Sequence, residues 1–325
     1  MDPAGFLADI EAKPEALERL ATVLDAAVSP GLTPGRRIDR IVLLGMGSSR
    51  YAAGVSALRL RAAGLDAAAE YASATLGCPA GPGTLAIAIS ANGESRETLA
   101  AVERHARRST VVAITNRPAS TIATMADHVV DMAAGEEVGG VACRTFQHTG
   151  LLLRALEARL TGRPADVAGL CRRVAAATAD LLDRRPAWLP ETAAMLDGPD
   201  GVYALAPAER LSSAEQSALM VREGPRRPAD ACETGDWSHV DVYLTRTLDY
   251  RALLYPGSPW DRQAMEWMTS RRSTVVAVGA DVPGASLAIR YAGDGDPEVA
   301  LHAETLVAEL VAAEWWRWAA AAPVG

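Results

Sequence analysis

The chain has 325 residues, 49% of them hydrophobic and 22% charged, with a formal net charge of −8. That is enough apolar material for two domains of ordinary size, and too acidic a balance for a nucleic-acid or anionic-membrane footprint. The opening residues MDPAGFLADIEAKPEALERL carry acids on a helical period, and no uncharged stretch of ~18 residues follows, so neither a signal peptide nor a membrane span is expected and the chain is read as cytoplasmic.

Cys78, Cys143, Cys171 and Cys232 lie far apart with no CxxC pair, which argues against a zinc site or a disulfide scaffold; no metal and no cofactor is expected. Lys13 is the single lysine among 32 basic residues and sits in the first helix, which argues against Schiff-base chemistry. Anions must then be held by arginine, hydroxyls or backbone amides.

Residues 4–28 read as an amphipathic helix broken near Pro14, followed by the turn-rich linker SPGLTPGRR. Strand, turn and helix then recur. Strands are expected at 40–46, 67–71, 84–90, 110–115 and 127–132, with helices at 48–63, 97–107 and 144–160. A helical stretch runs to about Asp183. The series restarts at Gly201, with strands at 201–206, 241–245 and 274–279 and helices at 211–223, 259–270 and 301–318. Alternation of apolar, β-branched strands with helices implies an α/β fold of two tandem doubly wound parallel-sheet domains behind an N-terminal helix. The boundaries read from sequence are 1–35 for helix and linker, 36–165 for the first domain and 166–325 for the second.

In an open parallel sheet, ligands bind beyond the carboxyl ends of the strands, where helices present unpaired amides. Two turns leave strands there, Gly45-Met-Gly-Ser-Ser-Arg50 and Ser90-Ala-Asn-Gly-Glu-Ser95. Glycine lets the backbone approach an anion, and Ser48, Ser49, Ser90 and Ser95 donate without bringing charge, which suits a phosphate monoester. Two rival readings compete. Gly45 and Gly47 begin a dinucleotide GxG with Glu70 near the end of the second strand, but Arg50 stands where the third glycine belongs. The serines are also plausible helix caps. In the second half Pro207 and Ala208 follow the first strand, so the glycine-serine turn is not repeated.

These residues resemble the SIS (sugar isomerase) family, and within it the isomerase half of the glucosamine-6-phosphate synthase branch. The likeness is carried by Met46-Gly-Ser-Ser49, by Ser90 to Ser95, and by Glu137-Val-Gly-Gly-Val-Ala-Cys-Arg-Thr145, which looks like the family's loop closing over the sugar. It implies phosphosugar contacts from Gly47, Ser48, Ser49, Ser90, Asn92, Gly93, Ser95, Val141 and Cys143. In SAEQSALMVREGPRRPADACETGDWSH it implies a catalytic Glu223, moving a proton between the first two sugar carbons, and a His239 that opens the ring in a neighbouring subunit. A homodimer is therefore expected. The glycine-rich segment 136–146 is the candidate lid that keeps water from an enediol.

The resemblance has gaps. The branch's glutaminase domain and its lysine-bearing C-terminal tail have no counterpart in this sequence, and Ala91, Asn92 and Arg144 depart from its usual residues. The expected activity is isomerisation or isomerising deamination of a hexosamine or ketohexose 6-phosphate. The alternatives are a non-catalytic sugar-phosphate regulator and a sugar-phosphate lyase or dehydratase.

Overall fold

The computed structural model describes residues 1–26 and 38–321. The stretch SPGLTPGRR, read as a linker, lies outside them. Helix α1 (Pro3–Glu11) starts on Asp2, whose carboxylate accepts the Gly5 amide at 2.6 Å, with proline at the first helical position. Ala12 separates it from α2 (Lys13–Ala26). The break precedes Pro14, whose ring fits a helix's first turn but would cost a backbone hydrogen bond further inside one.

The first sheet is built by β1 (Arg40–Gly45), α3 (Ser48–Ala62), β2 (Ala67–Tyr71), β3 (Thr84–Ile89), α4 (Arg96–His105), β4 (Thr110–Thr115), α5 (Thr121–Met125) and β5 (His128–Asp131), followed by α6 (Arg144–Thr161). Its strands are parallel in the order β2-β1-β3-β4-β5. β3 is buried along its whole length, as the run TLAIAI requires of a strand covered on both faces. The one-turn α5 was not legible in the sequence.

Helix α7 (Val167–Leu196) runs past Asp183 and through Pro186 and Pro190, with Trp188, Ala193 and Leu196 buried along the extension. The second sheet follows from β6 (Val202–Ala206), α8 (Leu211–Glu223), β7 (Ala229–Glu233), α9 (Thr234–Trp237), β8 (Arg251–Leu254), α10 (Asp261–Ser270), β9 (Thr274–Val278) and β10 (Leu287–Ile289), closed by α11 (Pro297–Ala303) and α12 (Leu306–Ala321). Its parallel order is β10-β9-β8-β6-β7. With β6 as counterpart of β1 and β8 of β3, this is the order of the first sheet.

The strand expected at 241–245 is instead a 3-10 turn, Asp241–Arg246. There the Val242 carbonyl accepts from the Thr245 hydroxyl and from Arg271, so local side chains take the acceptor that a strand ladder would have used. The sheet takes β8 in its place.

By packing, the chain forms two compact units that interleave in sequence. One contains the first sheet, Glu15–Glu136 and Arg144–Arg172; the other contains the second sheet with Met1–Pro14, Glu137–Cys143 and the chain from Arg173 onward. The segment 137–143, read from sequence as part of the first domain, thus packs with α1 and the second sheet.

Candidate phosphosugar site

Within the first-sheet unit, β1 and β3 are adjacent and parallel, so the turns after Gly45 and Ile89 open on the same edge. Gly47 adopts φ +49° with open space where a Cβ would stand, and it precedes α3 without a side-chain cap. Ser48 and Ser49 are half-buried, and neither hydroxyl has a hydrogen-bond partner among the described residues. Capping is therefore not their role. Ser95 is different: it caps α4, accepting from the Thr98 amide at 3.4 Å and the Thr98 hydroxyl at 3.1 Å.

Between them the loop is braced from inside. Buried Ser90 donates to the Asn92 side-chain oxygen at 3.2 Å, and the same oxygen accepts the Glu94 amide at 2.9 Å, an Asx-type turn on an exposed residue. Gly93 has φ +71°, and a Cβ there would stand 1.9 Å from the Ser120 hydroxyl oxygen. The Glu94 carboxylate accepts the Thr121 amide at 2.8 Å and its hydroxyl at 2.7 Å, bonds that hold its pKa below the usual range. Ser120 and Thr121 were missed in the sequence. The polar run after β4 at this edge, Asn116 to Thr121, was the available signal. Glu70, the acid of the dinucleotide alternative, spends its carboxylate on the Cys78 amide at 2.8 Å.

Among the described residues, the second sheet presents no equivalent cradle. At the counterpart edge, Arg210 pairs with Glu304 at 2.5 Å and also donates to the Pro256 carbonyl after β8. A cation of the chain's own occupies the place that an anion takes in such folds. Glu304 is fully buried, and that burial pushes its pKa up to about 7 against the opposing pull of Arg210.

Glu223 ends α8 and is half-buried. Burial raises its pKa, the Glu137 charge adds to the rise, and Arg222 opposes it. Glu137 belongs to the segment 137–143 of the same unit, where Val141 and Cys143 are 1% and 0% exposed. Their side chains are withdrawn from solvent, and burial pushes the Cys143 thiol well up, leaving it protonated and inert. His239 is exposed, and its ring has no partner among the described residues.

One chain does not bring Glu223 and His239 together. Because β6 and β7 are parallel neighbours, α8 must return to the amino edge of the sheet, and Glu223 lies at that end. His239 follows α9, beyond the carboxyl end of β7. Five residues of strand, roughly 16 Å, separate the two edges.

Residues 36–159 match the SIS domain family. Glutamine–fructose-6-phosphate aminotransferase (isomerizing) of Synechocystis is 34% identical over 131 residues, covering 37% of this chain and 20% of its own length. The chain spans well under half the length of such relatives. Among solved structures, tagatose-6-phosphate ketose/aldose isomerase of Escherichia coli superposes with a TM-score of 0.82 at 18% identity, covering 99% of this chain and 96% of that one. The C-terminal domain of glucosamine-fructose-6-phosphate aminotransferase of Francisella tularensis gives 0.81 at 17% identity, with 96% of each covered.

Proposed function

We propose that the chain, whose residues 36–159 match the SIS domain family, binds a hexose or hexosamine 6-phosphate and moves a proton between its first two carbons. The observation that carries the proposal is the pair of glycine-serine turns on adjacent parallel strands, with the Ser48 and Ser49 hydroxyls unspent. They supply neutral donors and helix-start amides to a phosphate dianion.

Glu223 is the proton-transferring group. A carboxyl held above its ordinary pKa is a better acceptor for a carbon-bound proton near neutrality than a solvated one. In isomerisation it takes the proton from the carbon next to the carbonyl, leaving an enediol. It returns the proton to the neighbouring carbon while the hydroxyl proton shifts, so aldose and ketose interconvert. With an amine on the second carbon the same transfer gives a ketimine, which water hydrolyses to ketose and ammonia. An isomerizing aminotransferase among the sequence relatives and a ketose/aldose isomerase among the structural neighbours act in this chemistry.

The separation of Glu223 from His239 makes the working unit a homodimer in this reading, each histidine serving its partner's glutamate by opening the sugar ring. The test is incubation with glucosamine 6-phosphate, and with fructose 6-phosphate plus ammonia, following ketose, aldose and free ammonia. Turnover by wild type and its loss in Glu223→Gln, with binding retained, supports the enzyme. Binding seen as a rise in Tm without turnover by wild type refutes it and favours a sugar-phosphate regulator.

A further inference from the structure

The segment 137–143, part of the stretch 136–146 that the sequence marks as a candidate lid, is fastened at both ends and in the middle within its own unit. Asp9 of α1, 2% exposed, accepts the Val138 amide on one carboxylate oxygen at 3.2 Å and the Gly139 amide on the other at 2.7 Å. The Asp2 amide donates to the Gly139 carbonyl at 3.2 Å. Gly139 lies so close to α1 that a Cβ would stand 2.4 Å from the Phe6 nitrogen, which only glycine permits. Glu137 closes the loop on itself by accepting the Cys143 amide at 2.7 Å.

From the other side, Gln216 of α8 donates to the Ala142 carbonyl at 2.8 Å. Gln216 is fully buried and stands seven residues, two helical turns, before Glu223 on the same face of α8. The helix that carries the candidate base thus also carries the anchor of the loop beside it. The fully buried pair Lys13–Glu309, at 2.5 Å, adds a cross-link between the start of α2 and α12 in this unit. A buried carboxylate holding two successive amides is not released without exposing charge to a dry interior.

We infer that residues 137–143 form a fixed wall of the Glu223 site and not a lid, and that Asp9 and Gln216 are the positioning residues that set it. The inference deepens the proton-transfer reading and rests on it for its kinetic consequence, though not for its structural one. Displacing the wall by about 1 Å is enough to cost on the order of a hundredfold in turnover. Phosphate capture by the serine turns is untouched by it.

Amide hydrogen exchange on the full chain tests the wall without any substrate. In wild type the Val138, Gly139 and Cys143 amides are expected to exchange as slowly as those of β6. Asp9→Ala is expected to speed the first two at least tenfold with β6 unchanged, and Asp9→Asn, which keeps one acceptor oxygen, to restore protection at only one of them. Gln216→Ala, the second variant should Asp9→Ala fail to fold, is expected to loosen residues 141–143. With a substrate that turns over, both alanine variants lower kcat ten- to a hundredfold and leave KM within about twofold. Fast exchange at 137–143 in wild type, or alanine variants with unchanged exchange and kcat, overturns the inference. Absence of turnover in wild type defeats the proton-transfer reading alone, and the exchange result still decides the wall.

Discussion

At the residue scale, reactivity and stability both depend on how carboxyls are placed relative to water. Glu223 must be deprotonated to accept a proton, and burial with Glu137 raises its pKa. The acid limb of kcat/KM is therefore expected above the ordinary carboxylate range. Glu137→Gln removes one cause of the rise while keeping an acceptor for the Cys143 amide, so it should move that limb to lower pH. An unmoved limb means the two carboxyls do not interact.

Glu304 gives the stability counterpart. Its folded pKa of about 7 lies above its unfolded value, so the folded state holds a proton that the unfolded chain releases. Its contribution is complete below the unfolded pKa and is lost as pH rises through about 7, a change on the order of 3 kcal/mol. Urea midpoints measured from pH 5 to 8 should fall for wild type and stay flat across that window for Glu304→Gln.

At the element scale, the strand-turn-helix units of the first sheet were legible because each strand is a continuous apolar run and each turn is marked by glycine and hydroxyls. The second sheet was harder. β7 reads ADACE, with acids and small residues, and β10 is three residues long, so neither shows a period. The apolar DVYLT was drawn into a 3-10 turn by side chains that satisfy its backbone locally. The serine turns could be found in sequence, but their bracing could not: Thr121 lies 27 residues from Glu94, and Asp9 lies 129 from Val138. No local pattern announces such partners. Gly93→Ala is a direct probe of the phosphate loop, since its positive φ and the Ser120 hydroxyl both exclude a side chain. Phosphosugars should then raise the Tm of wild type and not of this variant; equal shifts would show that the loop does not hold phosphate.

At the scale of the whole molecule, two sheets of one topology have diverged in what stands at their carboxyl edges. Among the described residues the first leaves the Ser48 and Ser49 hydroxyls open, while the second sets Arg210 at its edge. Since Glu223 and His239 lie at opposite edges of the second sheet, inactive Glu223→Gln and inactive His239→Ala chains are expected to restore about a quarter to a half of activity when mixed and allowed to exchange subunits. No recovery would place both groups' work within one chain.

In the proposed reading, isomerase, deaminase and lyase outcomes all begin with the same event, transfer of a carbon-bound proton to Glu223. Incubation of fructose 6-phosphate and glucosamine 6-phosphate in D2O, followed by NMR, therefore tests the account most directly. Deuterium entering the first or second carbon with wild type, and not with Glu223→Gln, is the result expected. A wild-type protein that binds both sugars and exchanges no carbon-bound hydrogen would contradict it.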